Sequence, residues 1–66
     1  MEKTVEIVKT ARGWHVTRRY CGRTIATEFF STVIPENIQG KKNKIKGFLE
    51  EVEQKKNSYV TAWVGA

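Results

Sequence analysis

The side chains best placed to do chemistry in this chain are cations. Arg12, Arg18, Arg19 and Arg23 fall within one short stretch around two glycine-bearing turns, and Lys41, Lys42, Lys44 and Lys46 follow further on. The arginine fork matches phosphate oxygens and guanine edges two contacts at a time, and lysine adds point charge. Lysine and arginine number 12 against 7 acidic residues, a net charge of +5. A domain so charged favours an anionic partner, either nucleic acid or an acidic protein surface. Such a charge also serves solubility alone.

The residue types for catalysis are thin. His15 is the only histidine and Cys21 the only cysteine, one on a strand pattern and the other at a turn. Nothing in that spacing brings them together. No serine sits in a nucleophile elbow, the glycines form no phosphate-binding loop, and one histidine with one cysteine makes no zinc site. The expectation is a protein that is not an enzyme, with no cofactor, no metal and no small-molecule substrate. A chain of 66 residues is one domain, 1–66, with a small core. A single cysteine excludes an intrachain disulfide framework. No signal peptide is legible, and no apolar run approaches the ~20 residues of a membrane span. These features predict a cytoplasmic protein with no membrane contact.

The elements that must hold the cations follow from hydrophobic period. Residues 3–10, 14–20 and 23–33 alternate or are rich in β-branched and aromatic types, separated by Arg12-Gly13 and Cys21-Gly22. Taken as two-residue hairpin loops, these turns pair Tyr20 with Arg23, Val16 with Thr27, Trp14 with Phe29 and Val5 with Tyr20. One face then gathers Val5, Ile7, Trp14, Val16, Tyr20, Ile25 and Phe29, with Arg18 snorkelling at the margin. The other gathers Glu6, Thr10, His15, Thr17, Arg19, Thr24 and Glu28, placing Glu6 beside Arg19 and His15 beside Glu28. Pro35 ends the third strand. From Lys41, Ile45, Phe48, Leu49 and Val52 mark a helix that Asn57 terminates. Residues 58–64, SYVTAWV, alternate again and predict a fourth strand. The fold class is therefore α+β: a three-stranded antiparallel β-meander, one amphipathic α-helix packed on the sheet, and a C-terminal fourth strand (β-β-β-α-β).

The helix start is charged against its own dipole. Its lysines sit at the positive end, and Glu50, Glu51 and Glu53 come later. A bound anion there would remove the conflict; a solvated basic turn is the plain alternative. On the fourth strand, Tyr59 and Trp63 share a face, and with Phe30 they offer an aromatic platform for single-stranded nucleic acid or a protein. The opposite alternation, with both aromatics in the core, is equally open. A final strand at a sheet edge could also pair with its mate in a second copy.

The segment GWHVTRRYCGRTIATEFFST, followed by a helix, resembles the arm-type DNA-binding domains at the N-termini of phage-type tyrosine integrases, which share a tryptophan strand, a basic turn and an aromatic strand leading into a helix. The resemblance covers about half of the chain and departs after Thr32, where the threonine-lysine run is missing and a fourth strand is expected. It implies that a basic three-stranded sheet can lie in a major groove.

Two jobs fit these residues. The first is a nucleic-acid-binding module, DNA over RNA, contacting phosphates through Arg12, Arg18, Arg19, Arg23, Lys41, Lys42, Lys44 and Lys46. The second is a protein-binding adaptor or inhibitor, or a homodimer, with Phe30, Tyr59 and Trp63 as its contact surface.

Overall fold

The computed structural model describes residues 2–65. Strands β1 (Lys3–Thr10), β2 (Gly13–Tyr20) and β3 (Arg23–Ser31) form an antiparallel sheet in the order β1-β2-β3. A 3-10 turn at Glu36–Ile38 leads into a single helix, α1 (Lys42–Val64). The meander and the helix are as expected; the fourth strand is not there. Residues 58–64 are the last two turns of α1, and Asn57 lies inside the helix rather than at its end.

The physical reason is the spacing of the stripe. Ile45, Phe48, Val52, Lys56, Tyr59 and Trp63 recur every three or four residues along α1 and, together with Val60, are the positions withdrawn from water. One of the six is Lys56, whose charge interrupts the apolar pattern. Its ammonium lies 4.4 Å from the Trp14 ring, so the position packs like its neighbours. Tyr59 and Trp63 satisfy an i, i+4 helical spacing as well as a strand alternation. Contacts with the sheet decide between the two.

Both hairpin registers differ from expectation. The first loop is Ala11-Arg12, so Val5 pairs with Arg18 and Ile7 with Val16. This is a two-residue slip that leaves every side chain on its expected face. Gly13 belongs to β2, where its φ of +150° and a clash between any Cβ and the Phe30 carbonyl oxygen both require glycine. The Thr10 hydroxyl closes the turn, accepting from the Arg12 N–H and donating to the Gly13 carbonyl. Cys21-Gly22 is a two-residue loop as expected, with φ of 51° and 82°.

In the second hairpin a β-bulge separates Arg18, paired with Ala26, from Arg19, paired with Thr24. Ile25 is the extra residue, and beyond it the alternation inverts. Trp14 therefore pairs with Phe30, not Phe29, and Val16 with Glu28. Phe29 moves to the open face, where its ring meets His15 at 4.6 Å; the expected His15–Glu28 pair does not form. The Glu6–Arg19 pair does, at 3.3 Å.

The helix crosses one face of the sheet. Trp63 donates from Nε1 to the Thr4 carbonyl at 2.9 Å, Tyr59 meets Phe30 edge-on at 5.5 Å, and Lys56 covers Trp14. Among the described residues the buried apolar side chains are Val16, fully enclosed, and Val52. The core is thin, and the molecule is long, 46 × 20 × 13 Å.

Candidate nucleic-acid interface

The eight cations expected to contact phosphate fall into three environments. Arg18 is withdrawn from solvent on the helix side of β2. Its guanidinium carbon lies 3.6 Å from the Tyr59 ring centroid and 5.6 Å from that of Trp63, and Nη2 donates to the Tyr59 carbonyl at 2.8 Å. Its Nε is buried with no hydrogen-bond partner. Such an arginine is part of the packing and presents no fork to a ligand.

Arg19 is on the open face. Nη2 meets Glu6 Oε1 at 3.3 Å, and Nη1 donates to Thr24 Oγ1 at 3.2 Å. Its side chain and that of Glu6 keep 37% and 57% of their exposure, so the pair is a surface ion pair worth at most about 1 kcal/mol. An anion could draw Arg19 away, but the open face as built is electrically balanced.

Arg12 and Arg23 are exposed, at opposite ends of the sheet. The eight residues of β2 separate them by about 25 Å. The arginine group that looks compact along the chain is therefore dispersed: side-chain alternation sends Arg18 and Arg19 to opposite faces, and the two loops close opposite ends.

The lysines are brought together. Lys41, Lys42, Lys44 and Lys46 are all exposed at the start of α1. The first turn carries no acidic residue, and Lys41 makes no side-chain capping bond. Leu49 and Glu53 face Lys9, Gly13, Trp14 and Thr32 at the end of the sheet, across a cleft of about 340 Å³. The turns preceding Leu49 therefore run about 10 Å past the strands. Arg12, in the loop at that same end, and Lys9 share this pole with the lysines. The basic pole was legible only in part, because Arg12 and Lys41 are far apart in sequence.

Phe30, Tyr59 and Trp63 lie in the seam between helix and sheet, and Lys3 sits 5.1 Å over the Trp63 ring. The apolar residues left exposed on the open face are Val8 (50%) and Phe29 (40%). Cys21 is exposed at its turn. Among the described residues no cluster of three His, Cys, Asp or Glu could hold a metal ion. No helix among the described residues is long and apolar enough to cross a membrane.

The fold and the pole define a small basic α+β protein, a three-stranded meander backed by one overhanging helix. Compared with family models, curated proteins and solved structures, the chain matches none.

Proposed function

We propose that this protein is a small, non-enzymatic nucleic-acid-binding module acting in the cytoplasm, DNA over RNA, that grips phosphates with its basic pole. The observation that carries this reading is the overhang of α1. Lys41, Lys42, Lys44 and Lys46 are solvent-exposed on turns standing clear of the sheet, with Lys9 and Arg12 at the same end and no carboxylate in the first helical turn. Phosphate contacts of this kind give affinity with little sequence preference. The element order β-β-β-α also agrees with the arm-type domains that residues 13–32 resemble. The neutral open face, with Arg19 bound to Glu6, favours contact through the pole over insertion of the sheet into a groove.

The test is fluorescence anisotropy with duplex and single-stranded oligonucleotides at about 50 and 200 mM salt, where phosphate contacts lose affinity steeply. Micromolar binding that collapses at the higher salt is the expected result. Absence of binding at the lower salt would exclude the reading.

A second reading, a protein-binding adaptor or inhibitor, is favoured by Val8 and Phe29 on the open face. It predicts binding to a protein partner that is insensitive to salt and is lost on Phe29→Ala.

A further inference from the structure

We infer that the cleft between α1 and the end of the sheet seats one unpaired base, a guanine by preference, of the nucleic acid whose phosphates the basic pole holds. This rests on the nucleic-acid reading above and adds to it a strand state and a base, neither of which phosphate contacts can read.

Both layers of the fold build the cleft. Lys9 and Trp14 come from the sheet, Leu49 and Glu53 from α1, around a volume of about 340 Å³. That lies at the lower end of the ~300–1,000 Å³ of small-ligand sites and leaves room for a single ring system. Trp14 is partly exposed and Leu49 is 38% exposed, so an aromatic ring and an apolar wall are open to a ligand. Tyr59 and Trp63 are covered instead. Arg18 lies 3.6 Å from the first ring and Lys3 lies 5.1 Å over the second. The ring available for stacking is Trp14, at the pole that carries the cations.

Charge decides the occupant. A nucleotide holds a flat neutral ring and an anionic phosphate apart by one sugar. The cleft repeats that division. Lys9 is the cross-strand partner of Trp14, Lys56 places its ammonium 4.4 Å from the same ring, and Arg12 is in the loop at that end. Aromatic rings set among cations in this way bind single strands, stacking on a base while the cations hold the backbone. The carboxylate lining the cleft is Glu53. It repels a phosphate or an acidic peptide and accepts from N–H donors. Guanine offers two such donors side by side, at N1 and N2, where thymine offers one, at N3. In a duplex those edges are paired and the faces are stacked, so Trp14 and Glu53 together require an unpaired base.

Fluorescence titration tests this on Trp63→Phe, in which Trp14 is the sole tryptophan, at about 50 mM salt. The probes are a blunt duplex and the same duplex bearing an unpaired guanine or an unpaired thymine overhang. The guanine overhang should bind at least about fivefold tighter than the blunt duplex, the lower bound for one stacked base, and should quench Trp14 emission. The thymine overhang should bind more weakly than the guanine one. Glu53→Gln, at an exposed position, should erase that difference and keep the gain over the blunt duplex. Trp14→Leu, with its fold checked by circular dichroism, should erase the gain itself and leave blunt-duplex affinity within about twofold. Equal affinity for all three probes with unchanged Trp14 emission overturns the inference and leaves the phosphate reading standing. A guanine preference that survives Glu53→Gln does the same. Binding of guanosine monophosphate as tight as that of the overhang assigns the cleft to a free nucleotide and also overturns it. Absence of binding by every probe overturns both readings.

Discussion

The Arg18 guanidinium sits over the Tyr59 ring at 3.6 Å and donates to the carbonyl of the same residue at 2.8 Å. One side chain thus binds the central strand to the last turns of the helix. A cation is well placed there, because carbonyls near a helix C-terminus carry partial negative charge.

Removing that contact should cost stability and leave ligand binding intact. Arg18→Ala is expected to lower the unfolding free energy by about 2 kcal/mol, the range of a hydrogen bond from a charged donor plus a partly desolvated cation–π contact. Urea unfolding followed by far-ultraviolet circular dichroism checks the loss. Oligonucleotide affinity, measured on folded protein, should change by less than about twofold, a difference under 0.5 kcal/mol.

The lysines should behave in the opposite way. Lys42→Ala and Lys46→Ala each remove one exposed cation from the overhang. Each should reduce the slope of log affinity against log salt by about 0.9 on duplex DNA, with Tm unchanged within a degree or two. An unchanged slope would remove the overhang from the binding surface.

Trp63→Phe keeps an aromatic ring and deletes the donor to the Thr4 carbonyl. The expected cost is about 1 kcal/mol, concentrated where the chain favours helix least, at Asn57, Ser58, Val60 and Thr61. Amide hydrogen exchange should show the last turns of α1 losing protection first, with β2 little affected.

Two glycines should respond with opposite sign. Gly47 is an exposed position inside α1 with open space around a would-be Cβ, so Gly47→Ala should stabilise by about 1 kcal/mol and raise Tm by roughly 5 °C. At Gly13 a Cβ collides with the Phe30 carbonyl, so Gly13→Ala should destabilise by more than about 2 kcal/mol. Differential scanning calorimetry of the two variants beside the parent chain settles both.

By itself the sequence determined what local rules control. Strand alternation, the Cys21-Gly22 turn, the helix stripe from Ile45 to Val52 and the excess of cations are all readable from neighbouring residues, because side-chain period and turn chemistry act over a few positions. It also determined that Glu6 and Arg19 share a face, since a slip of two residues preserves alternation.

The tertiary structure decided the rest. Residues 58–64 carry both a strand pattern and a helical i, i+4 pair, and local propensity leaves them undecided. Docking of Tyr59 on Arg18 and Trp63 on Thr4 selects the helix, with Lys56 filling the stripe by lying over Trp14. The bulge at Ile25 inverted the faces of Phe29 and Phe30, because one inserted residue reverses every side chain beyond it. The basic pole, finally, is a product of the chain's path. The arginines near one another in sequence were parted by the sheet, while Arg12 and the distant lysines came to one end, because the helix is longer than the sheet it covers.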